Sequence, residues 1–590
     1  MGRHPAPMEE SCRRASNGCG GHVGNTFMMA KADILIRNAK VATGEPGAPM
    51  AAWIAVAGNR IMALGYGDAG AWIGTRTGVI DGHGASLLPG LNDAHVHLFA
   101  GGLALTDLNL TGIRGAESLR EAVARYRATR PGLGFISAFG ADHGLVSDRR
   151  TPDRHDLDAV CPDIPLMIMA VDFHTAWANS AALALAGIAH GADLPPGSTV
   201  VLDDAGEATG ALLEFGAIDL VRRCNPASER HSAAAQRPLE SPVVSAEDRA
   251  ADKTVLRAAI QHCAKLGLTA VHNMDGSLYQ LELLSEIERD EGLPVRVRMP
   301  FQVQLGQQPH DLAHAAAWRQ RFASEKLRCD FIKIFADGVV ESGTANMLAD
   351  YAHKPGHSGA PLIADAELQA LVVEADRLGF QVAVHCVGDG AVRQVLDAFA
   401  AARVANGWRA ARHRIEHVEV IDPADLPRFA ELGVVASMQP CHAPVRGEGY
   451  LGLIGPARGR YAFASADLRA AGAAVVLSSD WPIAPLEPMA TLHAALTREA
   501  WPSGGPDHRI GLAAALDGIT RAASWIAFDE AHRGVLVPGA LADLTLLDRD
   551  LAGIAPDGLP AVSARLTICD GQITHGSDAV AGALRQAEEG

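Results

Sequence analysis

Leu88-Pro89-Gly90-Leu91-Asn92-Asp93-Ala94-His95-Val96-His97 is the stretch whose reading decides the fold. An apolar run breaks at Pro-Gly, then delivers two histidines two residues apart. Side chains on a strand alternate faces, so Asp93, His95 and His97 point the same way. Two imidazoles at that spacing can grip one metal ion. Asp93 is expected to orient one of those imidazoles from behind.

Four later runs carry further ligand-type residues. The first, Asp330-Phe331-Ile332-Lys333-Ile334-Phe335-Ala336-Asp337-Gly338, places a lysine on an apolar strand. An ammonium has no lone pair for a metal. A neutral amine, favoured by burial beside cations, can add carbon dioxide and become an anionic carbamate with two oxygens. The others are Gln381-Val382-Ala383-Val384-His385-Cys386, Arg414-Ile415-Glu416-His417 and Val475-Val476-Leu477-Ser478-Ser479-Asp480. Each reads as a short β-rich run ending in a ligand type. Singly, each histidine or aspartate fits a structural role. Together the order is His-x-His, Lys, His, His, Asp, one group per strand end.

The spacing of these runs predicts an α/β fold. Strands end near His97, Asn273, Phe301, Phe335, His385, His417, Gln439 and Asp480, with helical patterns such as 365–378 and 392–405 between them. This alternation reads as a parallel (β/α)8 barrel, a TIM-like barrel, over residues 87–532. Every ligand candidate then falls at a strand C-terminal end, where such barrels carry chemistry. An insertion over 99–266 leaves the first strand at that end and is expected to cap the site. Within it, 226–245 is rich in Pro, Ser and Ala and reads as a mobile loop. Residues 1–31 are polar and Gly-rich and read as a disordered extension. β-type runs in 32–86 and 533–578 would together form a small β-sandwich built from both termini.

Phe173-His174-Thr175-Ala176-Trp177-Ala178-Asn179-Ser180-Ala181-Ala182-Leu183, Lys333-Ile334-Phe335-Ala336-Asp337-Gly338 and Pro538-Gly539-Ala540-Leu541-Ala542-Asp543-Leu544 add to the ligand order. With them, roughly residues 32 to 576 resemble the metal-dependent amidohydrolase superfamily, and within it amidohydrolase family 3, the YtcJ-like branch that includes N-substituted formamide deformylase. The resemblance implies the terminal β-sandwich as well. It also implies that His95, His97 and Asp480 hold one metal, that His385 and His417 hold a second, and that carboxylated Lys333 bridges them. Such ligands suit Zn²⁺, with Mn²⁺, Fe²⁺ or Co²⁺ as alternatives. Two such ions supply hydroxide near neutral pH. Asp480 would carry the proton from the attacking water to the leaving nitrogen. In a mononuclear site, Lys333 could instead stay an ammonium and serve the oxyanion.

The expected reaction is hydrolysis of a non-peptide C–N bond in a small N-acyl or N-substituted amide. Ester or lactone hydrolysis, or decarboxylation, at the same metals is the alternative, and a catalytically inactive binding protein a third reading. Substrate-side candidates are His174, His143, Asp337 and Trp481, with Asp142, Glu214 and His442 also on loops or strand ends. Phe99, Phe173, Trp177 and Trp481 are expected to give the mouth an apolar character, within reach of Arg149 or Arg150.

The net charge of −17 argues against nucleic acid and anionic membranes as partners. Nine scattered cysteines, with no Cys-x-x-Cys pair, fit a reducing cytoplasm rather than a disulfide framework. The sequence leaves a homodimer open.

Overall fold

The computed structural model describes residues 30–576 apart from 46, 48, 131, 148–149, 171–174 and 195–197. The expected N-terminal extension therefore lies outside the described residues, save its last two. Eight parallel strands form one sheet: β1 (Leu91–Val96), β2 (Leu268–Asn273), β3 (Arg296–Gln302), β4 (Leu327–Phe335), β5 (Gln381–Cys386), β6 (Arg414–His417), β7 (Val435–Met438) and β8 (Ala474–Leu477). They lie side by side in chain order. Beyond β8 the chain bonds back to β1: Asp480 N–H donates to His95 O at 2.8 Å and His97 N–H to Trp481 O at 2.8 Å. The fold is thus a TIM-like α/β barrel. Its strands are almost wholly buried and nearly continuous in apolar residues, as parallel strands covered on both faces must be. The strand ends fall within three residues of those expected from the sequence.

Strands from both ends of the chain share a second eight-stranded sheet. Its seam is the antiparallel pairing of Ser86–Pro89 with Leu544–Leu547. This sheet is tied to the barrel by a buried charge cluster. Arg296 of β3 reaches Asp543 at 3.0 Å and Asp570 at 2.9 Å, while Arg533 reaches Asp543 at 2.7 Å.

The insertion after β1 builds a six-stranded sheet of its own between residues 108 and 213, with its own apolar clusters. Residues 226–245 depart from the expected loop. Pro226–Gln236 is a helix, started by the Asn225 side chain accepting from Ala227 N–H and by proline at its first turn. Both are helix-start signals that outweigh a loop-like composition. Of the remaining stretch, Ser245 caps the long helix Ala246–Lys265, which leads into β2.

Among the described residues, no helix is long and apolar enough to cross a membrane. The seven described cysteines are all unpaired.

Candidate metal centre

His95 sits on β1, Lys333 on β4, His385 on β5 and His417 at the end of β6. Asp480 follows β8 by three residues. The barrel brings the imidazoles into one continuous patch. Ring centroids step from His97 to His95 at 5.5 Å, to His417 at 4.9 Å and to His385 at 4.5 Å. One ligand atom from each of His95, His417 and Asp480 lies within 4.8 Å of the others. Asp480 and His417 adopt φ of +61° and +74°. That left-handed backbone costs a non-glycine residue about 1–3 kcal/mol, and such strain clusters at functional sites.

Each histidine gives one ring nitrogen to an oxygen. His95 Nδ1 meets Glu416 Oε2 at 2.7 Å, and His97 Nδ1 meets Asp275 Oδ1 at 2.6 Å. His417 Nδ1 meets Gln439 Oε1 at 2.9 Å, and His385 Nε2 meets the Gly338 carbonyl at 3.2 Å. These oxygens only accept, so the nitrogens facing them donate. The other nitrogen of each neutral ring is left with its lone pair for a metal. Glu416 is in turn gripped by Arg414, which also donates to Ala94 O at 2.6 Å and Ser437 Oγ at 3.1 Å.

Burial lowers the pKa of His95 and of His385 to about 4, with Lys333 adding to the effect, although Asp480 pulls both the other way. His417 is pushed well down by burial and by His385. These three rings are neutral donors at physiological pH. Burial opposes a charge on His97, but Asp275 and Asp480 prevail and raise it to about 10, so a metal bound at its Nε2 must displace a proton. Burial would raise Asp480, yet His95, His97 and His417 hold it well below the usual carboxylate range. Its Oδ1 is buried without a hydrogen-bond partner among the described residues, although His97 Nε2 lies 3.2 Å away and His95 Nε2 3.4 Å. A carboxylate oxygen and two imidazole nitrogens converging in this way fit a divalent cation.

Lys333 is 1% exposed. Among the described residues its Nζ makes no hydrogen bond or ion pair; it lies 4.9 Å from the Phe335 ring centroid. Burial lowers its pKa to about 8, against the pull of Glu416 and Asp480.

Several expected substrate contacts are occupied otherwise. Asp337 accepts from the backbone N–H groups of Val387, Gly388 and Asn346 at 2.8–3.0 Å, which pins the turn after β5. Trp481 is buried over Gly101, where an added Cβ would lie 2.1 Å from the indole. His143 is exposed and edge-on to Trp177. Asp142 pairs with Arg114 on the surface, and Glu214 opens the helix Glu214–Arg222 with φ +63°. His174, Phe173 and Arg149 lie outside the described residues. Arg150 is committed to Asp153 and Asp156. Trp177 belongs to the core of the six-stranded sheet, and Phe99 is buried in a stack on His231 at 4.9 Å. Asp93 accepts from the Ser479 and His95 N–H groups, so it ties β1 to the segment after β8 rather than orienting a ring.

Sequence reasoning did not assign Glu416, Asp275 or Gln439 a role. Glu416 was visible inside Arg-Ile-Glu-His; Asp275 and Gln439 had no spacing to mark them. His442 does join the cluster, with Nε2 3.6 Å from Asp480 Oδ2.

Residues 78–575 match the model of the amidohydrolase family. The chain belongs to that family. Within it, amidohydrolase family 3 is supported by two curated relatives. The putative amidohydrolase YtcJ of Bacillus subtilis is 29% identical over 84% of this chain and 89% of its own. The N-substituted formamide deformylase of Arthrobacter pascens is 26% identical over 93% of this chain and 99% of its own. Among solved structures, an uncharacterized metal-dependent hydrolase from Pyrococcus furiosus aligns with TM-score 0.65 at 25% identity, over 87% of this amidohydrolase and 98% of that chain. Family and neighbours make this amidohydrolase a hydrolase.

Proposed function

We propose that this amidohydrolase is a metal-dependent hydrolase of non-peptide C–N bonds, acting on a small N-acyl or N-substituted amide. The observation that carries the reading is the convergence of four histidines, a buried lysine and a buried carboxylate at the C-terminal end of one barrel. His95, His97 and Asp480 would hold one divalent ion, and His385 and His417 a second; zinc suits this donor set best. Bound there, the ions supply Lewis acidity and a more acidic water.

The chain's own groups do the rest. Asp480 takes the proton from the attacking water and returns it to the departing nitrogen, without which an amide nitrogen leaves poorly. The histidines around it keep it ionised, and so able to accept a proton, at neutral pH. Lys333 condenses with carbon dioxide, its amine nitrogen bonding to carbon and releasing one proton, and the carbamate would offer two anionic oxygens to the ions. An amine with a pKa near 8 is neutral in about a tenth of molecules at pH 7, enough for that addition. The insertion acts as the cap: helix Pro226–Gln236 brings His231 against Phe99, two residues after His97, and within hydrogen-bond reach of Gln280 at 3.1 Å. The deformylase relative favours N-substituted amides as the class to test first.

A panel of N-formyl, N-acetyl and cyclic amides beside matched esters and lactones tests the reading. Amide turnover that is lost on chelation and restored by zinc is expected. Esters turned over well with every neutral amide inert would contradict the C–N assignment. Lys333→Ala should regain activity with added short carboxylic acids; no rescue by any of them counts against the carbamate.

A further inference from the structure

His442 is the one imidazole of the cluster that the metal reading leaves unused. It opens the helix His442–Ile454 just beyond β7, and its side chain is 4% exposed. Its ring lies nearly parallel to His417, tilted by 12° with centroids 6.1 Å apart. Nδ1 faces Glu419 Oε1 at 3.3 Å, and Glu419 Oε2 accepts from the Tyr450 hydroxyl at 2.6 Å. Nε2 is buried and has no hydrogen-bond partner among the described residues. Asp480 Oδ2 stands 3.6 Å away, too far for a hydrogen bond.

We infer that His442 accepts a hydrogen bond from the N–H of the scissile amide and so selects substrates that carry one. The inference rests on Asp480 being the proton carrier to the leaving nitrogen. The Glu419 carboxylate can only accept, so it fixes the ring proton on Nδ1. In the neutral ring Nε2 then offers a lone pair and nothing else. A group beside Asp480 Oδ2 is beside the place where the departing nitrogen must sit. An N–H there satisfies a buried acceptor, whereas an ester oxygen would set lone pair against lone pair. A site built to meet an N–H rejects the analogue that lacks it, because its own polar group is then left unpaired. Tyr450 and Glu419 are positioning residues: they hold the ring and its tautomer without touching substrate.

The test compares kcat/KM for a secondary amide and its isosteric ester in the zinc-loaded wild type, His442→Phe and Glu419→Gln, with metal content measured in each. Comparing the ratio between proteins cancels the intrinsic reactivity of the two substrates. The amide-to-ester ratio should fall about tenfold or more in His442→Phe, the size of one lost hydrogen bond. It should also fall in Glu419→Gln, where an amide can donate to Nδ1 and the tautomer is freed. A ratio within twofold of wild type in folded, metal-loaded His442→Phe overturns the inference; should that variant not fold, the same result in Glu419→Gln does so. Equal losses on both substrates would also overturn it, since that pattern marks a donor to the carbonyl oxygen. Wild-type enzyme that cleaves esters and no amide would overturn the proposed reaction as well, which separates the two failures.

Discussion

At the scale of single residues, what organises the site is the set of oxygens behind the histidines. Glu416 is fully buried between Arg414 and His95, so it holds one ring in the orientation a metal requires. Glu416→Gln should weaken metal affinity about 10–100-fold, read by competition with a chelator, while the barrel stays folded. Unchanged affinity would mean that His95 needs no such support. Asp480→Asn should lose most of kcat while keeping most of the metal, because the amide still coordinates but cannot shuttle a proton. The ligand types were legible in the sequence because each closes an apolar run. Their partners were not: Asp275 meets His97 from the loop after β2, 178 residues away, a proximity that only the closed barrel creates. Away from the site, Asp376 shows the same chemistry used for stability. Burial would raise its pKa, yet His413, Asn406 and Arg409 bring it down to about 2 from 3.8. A depressed carboxylate stabilises the fold above its unfolded pKa and loses that contribution as pH falls from about 4 through about 2. Asp376→Asn should therefore lower stability near neutral pH and flatten its decline across that window, as pH-dependent denaturant melts would show.

At the scale of elements, the helix Leu98–Thr106 leaves β1 directly over the metal groups, and its close approach depends on Gly101. Trp481 fills the space a side chain would need. Gly101→Ala should cost about 1–3 kcal/mol through overpacking, visible as a lowered Tm with activity lost in parallel. The helix Pro226–Gln236 is the part the sequence misrepresented. Its Ala and Ser content resembled a loop, but Asn225 and Pro226 start it and Arg230 anchors it to buried Asp252 at 2.7 Å. Excising 226–236 should therefore change KM or substrate preference and also lower stability. Kinetics unchanged on every substrate would mean that this helix has no part in the site.

At the scale of the whole molecule, barrel and terminal sheet share the buried cluster of Arg296, Arg533 and Asp543. Asp543→Ala would leave Arg296 with only Asp570 and Arg533 with only Asp529 as carboxylate partners, and should cost about 1.5–3 kcal/mol, measured by denaturant unfolding. The barrel was legible because buried parallel strands write themselves as apolar runs at helix-length intervals. The sheet inside the insertion was only partly so, since short strands such as Leu108–Asn109 carry almost no pattern. Metal dependence is the property on which the proposed chemistry rests. Elemental analysis of purified enzyme, paired with amide hydrolysis per active chain before and after chelation, should find one to two divalent ions per chain and activity that leaves and returns with them. Full activity with far less than one ion per chain would contradict it.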